Sequence, residues 1–188
     1  MNAWPSFTTA ITSCLDAAEC TDGRGVSLPM QAGFEEWVTR SRMLAGSRGG
    51  IFFVGNGASS SMASHYAADV GKNAGFKTTT FTDAVLMTAI GNDICFSQVF
   101  AEPLRRSADA SDMLVAISSS GNSQNILEAA RVAREKSMYV VTLTGMRRDN
   151  QLRSLGDCNF WIPADLYGMV ETAHFAVLHY WTDRLCNT

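Results

Sequence analysis

The stretch Met113–Lys136 reads MLVAISSSGNSQNILEAARVAREK: an apolar run breaks into three serines, a glycine, an asparagine and a fourth serine, and a helical segment follows at once. A second stretch has the same grammar, with IFFVG at 51–55 passing into NGASSS at 56–61. The first backbone N–H groups of a helix are unpaired and carry a partial positive charge, so a strand-to-helix loop of this kind attracts anions, phosphate above all. Small residues let the anion approach the backbone, and serine hydroxyls add neutral donors. Neither loop contains a lysine and GxxxxGK[ST] is absent, so this is not a nucleotide P-loop. The GNG at 55–57 lacks the full spacing of a dinucleotide fingerprint. A helix cap at Ser123 and a plain turn at Gly121-Asn122 would explain one such loop; two of them, both at strand ends, favour an anion site.

The chain has three histidines. His65 and Asp69 are four residues apart in the helical segment after the first loop, on one face, where they can share a metal or act as an acid/base pair. His179 and Glu171 lie in the last helical segment, eight residues and a rise of about 12 Å apart. Both reach one metal only if Glu171 sits in a frayed first turn or a neighbouring subunit supplies one of the groups. His174 stands between them at neither spacing and is read as structural. Asp93, in GND, is either a turn residue or a contact to substrate hydroxyls.

The elements that position these groups alternate. Helical spacing covers about 6–19 and 31–46, separated by a TDGRGVSLP loop. Strands are expected at 51–55, 77–82, 113–118, 138–145 and 158–163, with helices at 59–73, 84–90, 96–108, 123–136 and 168–185. Short apolar strands alternating with helices predict an α/β fold: a three-layer, doubly wound, five-stranded parallel sheet with N-terminal helices. Ligands in such sheets bind outside the carboxyl ends of the strands, where both serine loops fall. The whole chain, 1–188, reads as one domain, with 1–48 as helices for oligomer packing and 49–188 as the α/β core. Trp4 and Phe7 on the first helix suggest burial against another copy, and Trp37, Trp161 and Trp181 read as core or subunit contacts. Arg105-Arg106 and Arg147-Arg148 read as solvated faces.

A net charge of −3 disfavours nucleic acid as a partner. No apolar stretch approaches the roughly 20 residues of a membrane span. Five scattered cysteines without a CxxC pair, and an N-terminus without a basic n-region, predict reduced thiols and a cytoplasmic protein.

GNGAS with HYAAD downstream, TAIGNDICF, and ISSSGNSQNILEAARVAREKSMYVVTLTG together resemble the sugar isomerase (SIS) domain family, and within it the phosphoheptose isomerases, over about residues 30–186. The resemblance implies that Asn56, Gly57, Ser59, Asp93, Ser118, Ser119, Ser120 and Ser123 bind the phosphorylated sugar, a ketoheptose phosphate. It implies a divalent metal, zinc, held by His65, Asp69, Glu171 and His179, with Asp69 as base and His179 as acid. It also implies a homotetramer with sites between subunits. The reaction implied is aldose–ketose isomerisation of sedoheptulose 7-phosphate through an enediol. Two positions and one four-residue stretch depart from the family pattern. Asp69 stands where the family has Glu, Glu171 where it has Gln, and Tyr167-Gly168-Met169-Val170 replaces an acid-arginine stretch. Two other readings compete: a non-catalytic SIS protein of the DnaA initiator-associating type, which lacks the last-helix histidine, and an isomerase of another phosphosugar. A sugar-sensing regulator is disfavoured, because the first 30 residues carry only one basic residue, Arg24.

Overall fold

The structure, a computed structural model, describes residues 3–45 and 49–186. It opens with helix α1 (Trp4–Asp16), whose Pro5 sits in the first turn, where a missing N–H leaves no bond unmade. The next segment, expected to be a loop, is a hairpin of β1 (Glu19–Asp22) and β2 (Ser27–Leu28). Asp22 Oδ1 accepts the backbone N–H groups of Arg24 and Val26, each at 2.9 Å, and Gly25 takes a φ of +77° to close the turn. Strands of four and two residues carry no readable period.

Helix α2 (Met30–Ala45) leads into the body of the domain, in the order β3 (Ile51–Gly55), α3 (Ala58–Ala74), β4 (Thr78–Thr80), α4 (Ala84–Asp93), α5 (Ala101–Ser107), β5 (Met113–Ser118), α6 (Gln124–Glu135), β6 (Tyr139–Gly145), β7 (Cys158–Ile162) and α7 (Tyr167–Cys186). The sheet order is β2-β1-β7-β6-β5-β3-β4. The five expected strands form its parallel part, and β1 adds antiparallel to β7, with Cys20 opposite Phe160. The sheet therefore has seven strands, not five. The helix expected over 96–108 is split into a 3₁₀ turn at Phe96–Gln98 and α5. Pro103 has no N–H to donate, and its ring would clash with the carbonyl of residue 99 in a continuous helix.

Apart from the edge strand β4, the parallel strands are buried on both faces, and alternate side chains feed two cores. Ile51, Phe53, Met113, Val115, Ile117 and Phe160 face α2, α3 and α7. Phe52, Val54, Leu114, Ala116 and Val140 face α4, α5 and α6. Trp37 of α2 and Trp181 of α7 are fully buried and stack with ring centroids 4.2 Å apart, which ties these two helices together under the sheet. Trp161 is also buried, so all three tryptophans belong to the core. Helix α1 buries none of its residues, and Trp4 is 74% exposed.

The hairpin meets α2 at a glycine. A Cβ on Gly33 would lie 2.3 Å from Cys20 Sγ, and that sulfur, itself buried, sits 3.7 Å from Cys158 Sγ. Gly33→Ala is expected to destabilise the protein by about 2 kcal/mol in urea unfolding. The clash falls at the upper end of the roughly 1–3 kcal/mol typical of overpacking and exceeds the helix-propensity gain of about 1 kcal/mol. Adding Cys20→Ala should recover most of that loss.

Candidate active site

Neighbouring parallel strands β3 and β5 end side by side, with Gly55 opposite Ile117. From there the chain leaves β3 into α3 on one face of the sheet and leaves β5 into α6 on the other. Such a switch point leaves a crevice between the two exits. The first turn of α3 folds tightly over the end of β3: a Cβ on Gly55 would meet the Ser59 carbonyl oxygen at 2.4 Å, and Gly57 starts the helix at a φ of +55°. A small cavity of about 140 Å³ occupies the crevice, lined by Asn56 and Ser59 from one loop and Ser118, Ser119, Ser120 and Ser123 from the other. Tyr167 and Glu171, from the start of α7, close its wall. Among the described residues that line it none is lysine or arginine. Neither α3 nor α6 has an acidic residue in its own first turn, and Glu171 is the one carboxylate among the described residues of the pocket wall.

The serine loop is held from both sides. Asn56 and Asn125 form a reciprocal amide pair, with Asn56 Nδ2 donating to Asn125 Oδ1 at 2.9 Å and Asn125 Nδ2 donating to Asn56 Oδ1 at 2.8 Å. On the other flank, the Gly145 N–H donates to the Ser119 carbonyl and the Leu152 N–H to the Gly121 carbonyl, each at 2.9 Å. Asn150 is buried against Gly121, where a Cβ would stand 2.0 Å from its Oδ1, and Gly121 has a φ of +64°. That position requires glycine on two counts. Ser123 precedes α6 but makes no side-chain cap; its hydroxyl sits 3.4 Å from Ser118 Oγ, so the capping explanation of the loop does not hold.

A second cluster lies further along α3 and α7, which pack side by side. His65 Nε2 is 3.3 Å from Asp69 Oδ2, and both side chains are partly exposed. The His179 ring centroid is 5.8 Å from that of His65 and 5.2 Å from that of Tyr66. Tyr66 crosses the seam between the helices and donates its hydroxyl to the Phe175 carbonyl at 3.0 Å. Burial, with Asp69 and Asp183 nearby, pushes its phenol well above the ordinary range.

The structure thus gathers the expected residues into two groups. Glu171 belongs with the serine pocket and not with His65, Asp69 and His179. Among the described residues no group of three or more His, Cys, Asp or Glu is set to hold a metal ion. The four expected zinc ligands therefore do not converge within one chain, because two turns of α7 separate Glu171 from His179. Asp93 ends α4 with an exposed carboxylate that accepts from Asn92 Nδ2 at 2.9 Å, and it does not line the pocket. Arg105 and Arg106 pair with Glu102, Arg147 with Asp149 and Arg148 with Glu19, as expected of surface side chains. Among the described residues no helix is long and apolar enough to cross a membrane.

Residues 42–145 match the SIS domain family. The chain is 36% identical over 140 residues to the phosphoheptose isomerase of Dechloromonas aromatica, covering 70% of this chain and 71% of that protein. It is 37% identical over 147 residues to that of Solidesulfovibrio magneticus, covering 74% and 71%. The chain belongs to the phosphoheptose isomerase family. The solved phosphoheptose isomerase GmhA from Neisseria gonorrhoeae superposes on 98% of this chain and 95% of its own with a TM-score of 0.83, at 26% identity. Tyr167 and Glu171, two of the positions expected to depart from the family pattern, both line the serine pocket.

Two polar residues of this site were not singled out in the sequence, Asn125 and Asn150. Both are buried, at 3% and 4% exposure, but each stands among polar residues in the sequence, Asn125 after Ser123-Gln124 and Asn150 between Asp149 and Gln151, so the sequence offered no signal for either. His174 is structural as expected: it is fully buried and its Nε2 contacts the Thr144 carbonyl at 3.1 Å, stapling α7 to the end of β6. Burial lowers its imidazole from 6.5 to about 4, against a weaker upward pull from that hydrogen bond. Between those values the unfolded chain binds more protons than the folded one. Stability should therefore be complete above pH 6.5 and fall by about 3 kcal/mol as the pH drops toward 4. Chemical denaturation across that range should show His174→Leu less stable at neutral pH and less steeply acid-sensitive by that amount.

Proposed function

We propose that this chain interconverts sedoheptulose 7-phosphate and D-glycero-D-manno-heptose 7-phosphate through an enediol. The serine pocket takes the phosphate, and the His65–Asp69–His179 cluster takes the reacting carbons. The spacing of the two groups carries the reading. Six residues of α3, a rise of about 9 Å, separate Ser59 from His65. Eight residues of α7, about 12 Å, separate Glu171 from His179. An open-chain seven-carbon sugar with its phosphate at the far end spans about 10 Å, taking six carbon–carbon bonds of roughly 1.5 Å in zigzag plus the phosphoester.

In this arrangement the phosphate accepts hydrogen bonds from the hydroxyls of Ser59, Ser118, Ser119, Ser120 and Ser123, and the positive ends of α3 and α6 favour its charge. Asp69 removes a proton from C1 of the ketose, and His179 protonates the C2 oxygen as charge develops there. The enediol then returns a proton from Asp69 to C2, while His179 takes the proton of the C1 hydroxyl. The aldose results, and both residues regain their starting states. His65, beside the Asp69 carboxylate, orients it. A zinc ion held by all four of His65, Asp69, Glu171 and His179 would need Glu171 from a second copy, and none of these proton transfers depends on it. A homotetramer, with Asp93 brought to a neighbour's pocket, and a cytoplasmic location complete the reading. The exposed apolar residues Trp4, Val85, Ile94 and Phe96 support the assembly.

Asp69→Asn keeps shape and removes the base. Its kcat should fall by about 10²–10⁴ with KM little changed, measured as aldose formation from sedoheptulose 7-phosphate, and deuterium should no longer wash into C1. Turnover at the normal rate would remove Asp69 from the role.

A further inference from the structure

The serine pocket borders one side chain that does not line it but fixes one that does. Asn125 lies in the first turn of α6, 3% exposed, and commits its amide to Asn56 in both directions, at 2.8 and 2.9 Å. A reciprocal amide pair uses one N–H and the carbonyl of each partner. Turning either amide alone would set oxygen against oxygen and N–H against N–H inside a partly buried ring. The pair therefore fixes the plane of the Asn56 amide and leaves one of its N–H protons for the pocket that Asn56 lines.

We infer that Asn125 is a positioning residue for ligand binding: it locks Asn56 so that the second Asn56 N–H points to the phosphorylated end of the substrate. This rests on the functional reading above. The pair also bridges the two loops across the switch point, from the end of β3 to the start of α6. Without it, Asn56 is free to rotate and the loops lose a direct side-chain tie. The pocket lies far along α3 and α7 from the cluster assigned to proton transfer, so the loss should fall on binding and not on chemistry.

The test is steady-state kinetics of Asn125→Ala, Asn56→Ala and the double variant with sedoheptulose 7-phosphate, with thermal melts to confirm folding. Asn125→Ala should raise KM about tenfold, with kcat within about twofold of the parent, as expected for the loss of one hydrogen bond to a charged group. The double variant should be no worse than Asn56→Ala alone, because Asn125 acts through Asn56. If the alanine variant does not fold, Asn125→Leu keeps the volume, removes the ring and carries the same expectation. A folded variant with unchanged KM, or losses that multiply in the double variant, overturns the inference. Calorimetry with inorganic phosphate separates this from the catalytic reading. Phosphate binding weakened about tenfold in Asn125→Ala, in a protein whose parent does not turn over the sugar, leaves the positioning role standing and removes the isomerase.

Discussion

Everything at the candidate site follows from one pairing: β3 and β5 run parallel and adjacent, yet their following helices leave to opposite faces. Parallel strands cannot be joined by a tight turn, so each must pass through a crossover. Where two neighbours send their crossovers apart, neither helix covers the strand ends. The gap at Gly55 and Ile117 is that place. The starts of two helices, α3 and α6, then border one small volume, a convergence no single loop achieves.

Keeping that gap shaped takes more than the serines. The loop from 118 to 123 is pinned through the Asn56–Asn125 pair on one side and through Gly145, Asn150 and Leu152 on the other. The ties through Asn56–Asn125, Gly145 and Leu152 are ordinary hydrogen bonds, worth about 0.5–1.5 kcal/mol net each, and Asn150 holds the loop by packing against Gly121. Their effect is on geometry: short polar side chains reach useful positions only if the backbone carrying them does not drift. Farther down, Tyr66 plays the same part between α3 and α7, setting His65 and His179 on one frame.

Much of this was legible in the chain because it obeys short-range rules. The central parallel strands announce themselves as apolar runs buried on both faces, and the edge strand β4 as a β-branched run of threonines. The His65–Asp69 contact follows from helical spacing, and the separation of Glu171 from His179 follows from helical rise. The β1–β2 hairpin was not legible, since its strands are too short for a pattern and β1 owes its place to an edge of β7 some 140 residues away. Nor were Asn125 and Asn150 given roles, because a buried amide is defined by partners distant in sequence. Asp93 shows the reverse limit: its GND context marks it for attention, but its position within one chain gives it no ligand to meet.

The absence of basic side chains among the described residues lining the serine pocket has a consequence for solution behaviour. A phosphate site built on lysine or arginine must order long flexible arms, and added salt screens its attraction. Here the lining side chains are mostly stubby hydroxyls. A phosphate seated among them enters a cradle that needs little rearrangement, so less side-chain freedom is lost when it binds.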